Sequence, residues 1–291
     1  MGSQTSVDLQ GKTVVVTGAS AGIGAAAAGQ LAQRGATVVV VGRSPEKTAA
    51  VARSIGVQPL VADFARLDDV RRLAADLLER CPRIDVLANN AGGAFPHRTT
   101  TVDGHELMFQ VNHLAPFLLT MLLHDRLAET PGARVINTAS DGNRMGSVDL
   151  TDLDWERRRW MGLRAYGTTK LENILFAREI ARRWAGDGIV AAAFHPGIVA
   201  SDFGREGLVT GLVYRSPLRR LLVSSSDSAQ ALVELAGRPD IAAFNGAYFN
   251  RHKPNARANK QADDAALASA LWDRSAQLLG LEAVPAAASA A

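Results

Sequence analysis

The stretch Thr17-Gly18-Ala19-Ser20-Ala21-Gly22-Ile23-Gly24 constrains what this chain can fold into more than any other. A β-branched run, Thr13-Val14-Val15-Val16, leads into it, and a helical pattern over residues 25–34 leads out of it. A strand, a tight glycine-rich turn and a helix start together make an anion site. The first N–H groups of the helix have no intrahelical acceptor, and the aligned peptide dipoles favour negative charge there. Glycines let the backbone turn sharply and let a pyrophosphate approach where a Cβ would otherwise stand. The spacing is G-x-x-x-G-x-G, neither the G-x-G-x-x-G dinucleotide fingerprint nor the G-x-x-x-x-G-K-[ST] phosphate loop. Taken alone, the turn also admits a plain strand-to-helix connection; its place after the first strand favours a nucleotide.

The rest of the chain repeats this alternation. Strand patterns fall at 13–16, 37–41, 58–62, 86–89, 134–138, 190–194 and 247–249, and helical patterns at 22–34, 45–54, 67–80, 103–128 and 163–185. Strands separated by helices of this length predict an α/β, doubly wound (Rossmann) seven-stranded parallel sheet with helices on both faces. Residues 38–41 are all valine, as a strand buried on both faces requires. No linker divides the chain, so one domain is expected over 10–280, between a flexible leader at 1–9 and an Ala-rich flexible tail at 281–291. Residues 141–163 and 198–226 break the alternation. Ligands of such sheets sit at the carboxyl ends of the strands, so both segments are expected to border a substrate pocket, the second as a lid. Phe203, Leu208, Leu212, Leu218 and Leu222 make that lid apolar. Trp155 and Trp160 read as loop anchors rather than pocket walls.

Charge and cysteine content exclude several classes. The net charge is +3, with basic residues scattered, which argues against nucleic acid as a partner. A lone cysteine, Cys81, rules out an internal disulfide and a cysteine-based metal cluster, and points to a reducing, cytoplasmic setting. No metal site is expected, and no segment approaches the ~18 apolar residues of a membrane span.

Three further features carry chemistry. Tyr166-Gly167-Thr168-Thr169-Lys170 places a phenol and an ammonium group one helical turn apart on one face. A free Tyr, with a pKa near ~10, is a poor acid–base group at neutral pH, and a neighbouring cation favours its phenolate. Ser140 ends a strand and can donate to a carbonyl oxygen. Asn89-Asn90-Ala91-Gly92 ends another strand, and Asn112 lies within an apolar helical stretch, where it is either a satisfied core residue or a functional one.

Taken in order, the glycine-rich turn, Asn-Asn-Ala-Gly, Asn112, Ser140, Tyr166, Lys170 and Pro196-Gly197 closely resemble the short-chain dehydrogenase/reductase superfamily over about residues 10–280. Five segments look like its retinol-dehydrogenase-like and WW-domain-oxidoreductase-like branch. They are Val111-Asn112-His113-Leu114-Ala115-Pro116-Phe117, Lys170-Leu171-Glu172-Asn173, His195-Pro196-Gly197-Ile198-Val199, Gly246-Ala247-Tyr248-Phe249 and, near the end, Leu271-Trp272-Asp273-Arg274-Ser275. The resemblance implies that Tyr166 is the general acid, that Lys170 lowers its pKa and holds a ribose, that Ser140 polarises the carbonyl, and that Asn112 holds a relay water. It places the cofactor against Gly18, Ser20, Ala21, Gly22, Ile23, Gly24, Arg43, Asp63, Phe64, Asn90, Ala91, Gly92, Tyr166, Lys170, Pro196, Gly197, Ile198 and Ser201. It also implies pairing into a homodimer or homotetramer through the helices near 103–128 and 163–185.

Cofactor choice turns on Gly42-Arg43-Ser44 after the second strand. An acid there would accept from a ribose 2′-hydroxyl and repel a 2′-phosphate; this chain offers Arg43 instead. NADP(H) is therefore expected ahead of NAD(H). Three departures stand out: Thr169 for the usual Ser before the Lys, Ser201 for the usual Thr, and Asp141 after Ser140 in place of a small neutral residue. The sequence thus predicts an NADP(H)-dependent oxidoreductase interconverting an apolar alcohol and its ketone or aldehyde. An NADPH-sensing binding protein and a C=C reductase on the same fold are the alternatives.

Overall fold

Period-two alternation sorts the valines of the first strands onto two faces. The computed structural model describes residues 8–197 and 224–281. In β1 (Thr13–Val16), Val15 packs into one apolar core while Val14 and Val16 pack into another; in β2 (Thr37–Gly42), Val41 is split from Val38 and Val40 in the same way. The strands β3 (Pro59–Val61), β4 (Val86–Asn89), β5 (Arg134–Thr138), β6 (Val190–His195) and β7 (Tyr248–Asn250) complete a seven-stranded sheet. Its order is β3-β2-β1-β4-β5-β6-β7, and every pairing is parallel.

The helices are α1 (Gly22–Gln33), α2 (Pro45–Ser54), α3 (Leu67–Arg80), the short α4 (Leu107–Phe109), α5 (Ala115–Leu122), α6 (His124–Ala128), α7 (Gly162–Arg183), α8 (Ser225–Gly237) and α9 (Ala265–Leu278). Ala27, Ala28 and Leu31 of α1 and Leu232 and Val233 of α8 cover one sheet face. The opposite face is covered by α3, α5 and α7 through Val70, Leu77, Phe117, Leu171 and Leu175, and α9 packs on the outside of α7 through Leu271 and Trp272. The α3 helix carries its apolar residues at helical spacing (67, 70, 73, 74, 77), with Asp68 and Asp69 in the first turn and Arg80 in the last, each complementing the dipole.

The sheet and its single-domain frame match the expectation. The helix expected over 103–128 does not run unbroken. A turn at Gly104, whose φ is +89°, precedes it, and the Glu106 carboxylate accepts from Met108 N and Phe109 N, so the helix opens at Leu107. A π turn, Gln110–Leu114, then follows, and a break at Leu123 separates α5 from α6. Two helices, α8 and α9, were not expected: α8 begins inside the segment assigned to the lid, and α9 follows the last expected strand. The expected lid at 198–226 lies outside the described residues up to 223, and its last two residues belong to α8. The leader and tail likewise fall almost wholly outside them.

Candidate active site

The expected residues converge at the carboxyl edge of β1, β4 and β5. Thr17, buried, ties the first turn down. Its hydroxyl donates to Ala88 O (3.1 Å) and accepts from Asn90 N and Ala91 N (both 3.0 Å). Asn90 Nδ2 donates to Thr17 O (2.9 Å), while its Oδ1 accepts from the Thr138 hydroxyl at the end of β5 (3.3 Å). Asn90 is thus a brace between three strands. Gly18 has φ +67°, and a Cβ there would stand 2.7 Å from Ala91 Cα, so position 18 takes only glycine without strain. Ala21 is extended (φ −162°) and offers no side-chain cap to α1, whose first turn has no acidic residue. The helix start beside Ser20, Gly22, Ile23 and Gly24 therefore retains its anion preference.

Arg43 follows β2 and is exposed; Ser44 caps α2, accepting from Lys47 N. After β3, Asp63 Oδ1 accepts from Ala65 N (3.0 Å) in a local turn. Phe64 turns its side chain into the core at 5% exposure, and its carbonyl accepts from Gln110 Nε2, so only its backbone is placed to meet a ligand.

Asn112 sits in the π turn and is fully buried. It clasps Gly93 from both sides, accepting from its N–H (2.7 Å) and donating to its carbonyl (2.8 Å), and it donates to Thr169 Oγ1 (2.9 Å). Thr169 in turn donates to Tyr166 O (2.9 Å). The hydroxyl kept at that position therefore links Asn112 to the α7 turn that carries Tyr166. A Cβ at Gly92 would stand 2.9 Å from Asn112 Oδ1 and 3.3 Å from Lys170 Nζ, so Ala91-Gly92 borders this pair.

Ser140 begins a 3-10 turn, Asp141–Met145, and its Oγ accepts from Gly142 N (3.1 Å). It also shares a hydrogen bond with Tyr166. A Cβ at Gly142 would lie 3.4 Å from Ser140 Oγ and 3.5 Å from Tyr166 Cε1, which shows how tightly the three converge. Lys170 is buried, donates to Thr138 O (3.2 Å), and places its Nζ 5.5 Å from the Tyr166 ring centre. Burial pushes the Lys170 ammonium down to about 8 and the Tyr166 phenol up to about 12, with the Ser140 hydrogen bond pulling the phenol back. Desolvation acts on both groups, and the lowering contact on Tyr166 comes from Ser140.

Pro196 and Gly197 follow β6 at the same edge, with Gly197 at φ +97°. Ile198, Ser201 and the five apolar lid residues lie outside the described residues. Trp155 is an anchor, buried at 3% exposure with Arg158 stacked on it. Trp160 is half-buried and packs with Phe95 and Tyr166 against the Met108–Trp155–Ala165 cluster, so it is wall as well as anchor. Among the described residues no group of His, Cys, Asp or Glu is placed to hold a metal, and no helix is long and apolar enough to cross a membrane.

A family model described as short chain dehydrogenase matches residues 12–207. The chain belongs to the short chain dehydrogenase family. Within it, the sequence falls with the retinol-dehydrogenase-like branch. It is 39% identical to human retinol dehydrogenase 13 over 287 residues, covering 94% of this chain and 86% of that one. It is 45% identical over 278 residues to DnrU of Streptomyces sp. (strain C5), a candidate daunorubicin C-13 ketoreductase, covering 94% of each. A solved structure, the Pseudomonas aeruginosa RhlG/NADP active-site complex, superposes with a TM-score of 0.68 at 25% identity, covering 84% of this chain and 95% of that one. The protein is accordingly an oxidoreductase of the alcohol–carbonyl kind. Four residues at or beside the site carried no role in the sequence: Thr17, Phe95, Asn143 and Tyr248. Thr17 was legible as a hydroxyl directly before the first glycine, whereas the others acquire meaning only from distant neighbours.

Proposed function

We propose that this protein is an NADP(H)-dependent reductase of apolar ketones or aldehydes, with Tyr166 as proton donor. The observation that carries the reading is the convergence of Ser140, Tyr166 and buried Lys170 beside the uncapped start of α1. The residues fit a dinucleotide. Gly18 leaves backbone room for a pyrophosphate, α1 offers its N–H groups, and Lys170, with one carbonyl acceptor, has donors to spare for a ribose. Asp63 would meet the adenine, Asn90 to Gly92 the middle of the cofactor, and Pro196 and Gly197 its nicotinamide end. A bound nicotinamide supplies the hydride.

The chain's own part is orientation and proton transfer. Ser140 Oγ donates to the substrate oxygen and fixes it beside the phenol. Tyr166 Oη then delivers its proton to that oxygen as negative charge develops there. A phenol that burial keeps protonated at neutral pH is in the form a general acid needs, and the same group accepts the proton in the reverse direction. Lys170 and the Asn112–Thr169 link hold the Tyr166 turn in place and mark the route for reprotonation. Phe95 and Trp160 pack in one apolar cluster with Tyr166, which supports an apolar substrate.

Two further readings accompany this. In this chain α9 packs over part of α5 and α7, the helices through which the resemblance implies pairing, with Trp272 against Phe117, Phe176 and Trp184. That supports a chain that does not pair through those helices. The single cysteine, buried, supports a cytoplasmic setting.

The test is Tyr166→Phe. NADPH oxidation with a panel of apolar aldehydes and ketones should fall by roughly a thousandfold or more, while NADPH binding stays intact. Near-normal turnover in the variant sinks the mechanism. Tight NADPH binding by a wild-type protein inactive on every carbonyl would favour a cofactor sensor.

A further inference from the structure

The Ser140 turn is gripped from two sides, and one of the grips belongs to no residue assigned so far. On one side the turn meets α7, where Ser147 N donates to Thr168 Oγ1 (3.0 Å). On the other side it meets the segment that follows β7, more than 100 residues away in sequence. Asn143 is the link. It is fully buried and uses both ends of its amide. Its Nδ2 donates to Ser140 O (2.7 Å) and to Tyr248 Oη (3.3 Å), and its Oδ1 accepts from Asn259 N (2.8 Å). Asn259 Nδ2 then donates to Asn143 O (3.2 Å) and Gly146 O (2.9 Å), and Tyr248 Oη donates to Asp141 Oδ1 (3.2 Å).

We propose that Asn143, braced by Tyr248 and Asn259, is a positioning residue that sets the Ser140 hydroxyl against Tyr166; the catalytic part of this rests on the function proposed above. The physical argument is one of geometry. Ser140 has one backbone carbonyl, and Asn143 fixes it from both its own N–H (2.9 Å) and its side chain. With that carbonyl pinned, the Ser140 backbone cannot pivot, and its Oγ stays between Gly142 N and the phenol. The brace also accounts for Asp141 beside the reactive serine. Tyr248 holds one carboxylate oxygen, and the other lies 3.9 Å from His195 Nε2, so the charge is drawn toward β6 and β7.

The test pairs Asn143→Ala with Tyr248→Phe, which keeps the ring and removes only the hydroxyl. Hydrogen exchange of the 139–146 segment, read by mass spectrometry, should quicken in both. The kcat for carbonyl reduction should fall by about tenfold or more, since sub-ångström misplacement of an oriented group is costly. The KM for the carbonyl and the affinity for NADPH should stay within about twofold, as expected for an interaction realised in the transition state. Unchanged exchange in both variants overturns the proposal, and so does faster exchange with kcat unaltered. If Asn143→Ala fails to fold, Tyr248→Phe decides alone. A wild-type protein without carbonyl turnover would refute the proposed function, and the exchange measurement would still decide whether Asn143 holds Ser140.

Discussion

Replacing Arg43 by glutamine should weaken NADPH binding and leave NADH binding unchanged. Position 42 cannot easily carry the acid that an NAD-preferring site would use, because a Cβ on Gly42 would stand 2.8 Å from Ser20 Cβ and strike Thr48 Oγ1. Discrimination therefore falls to Arg43, which is exposed and, among the described residues, engaged by no carboxylate; the nearest acid in sequence, Glu46, accepts from Ser44 Oγ (3.1 Å). A hydrogen bond to a charged group contributes about 1.5–3 kcal/mol, and solvent exposure places Arg43 at the lower end. At ~1.4 kcal/mol per factor of ten, the loss is roughly 10- to 20-fold in NADPH affinity. The contrast between the cofactors should shrink with salt, since the screening length falls from about 10 Å at 0.1 M to about 3 Å at 1 M. Titration of NADPH and NADH by nicotinamide fluorescence, at two salt concentrations, reads all of this. Equal weakening of both cofactors, or none for NADPH, would refute the assignment of a 2′-phosphate to Arg43.

Three other perturbations test the scaffold. Gly18→Ala combines a left-handed backbone cost of about 1–2 kcal/mol with a clash against Ala91 Cα, so both the melting temperature and nucleotide affinity should drop; a binding curve like wild type would count against the cradle. Trp272→Ala should cost about 3–5 kcal/mol in urea unfolding, because it removes the ring that seals α9 against Phe117, Phe176 and Trp184; size-exclusion chromatography would show at the same time whether the uncovered helices then pair. Glu106 is buried, and burial raises its carboxyl pKa to about 7 against the N–H bonds from Met108 and Phe109. The folded form therefore holds a proton that the unfolded chain releases near ~4.5, and stability should decline as pH rises from there to about 7, by at most ~3 kcal/mol. Glu106→Gln should flatten that part of the profile, and an unchanged slope in the variant would contradict the assignment.

The sequence by itself determined the sheet and most of the candidate site. Valine-rich runs alternating with helical spacing leave little choice but a parallel sheet covered on both faces, because each strand must bury two sides. The glycine-rich turn was legible from the strand, the glycines and the helix start around it, whereas Ser140 and the Tyr166–Lys170 pair drew their roles from the ordered resemblance. Tertiary structure alone decided the rest. Asn112 is ambiguous in a helix until Gly93 and Thr169 close around it, and its π turn leaves no mark in the residue pattern. Which groups surround the Tyr166 phenol, Ser140 among them, depends on where β5 ends beside α7. Asn143 and Tyr248 look ordinary in sequence, since a hydrogen bond spanning 105 residues depends on where β7 lands beside β6. Nor did the resemblance foresee that α9 would cover α7: the stripe Ala268, Leu271, Trp272, Ser275 and Ala276 marks the face that is buried, and only the tertiary structure decides which helix it meets.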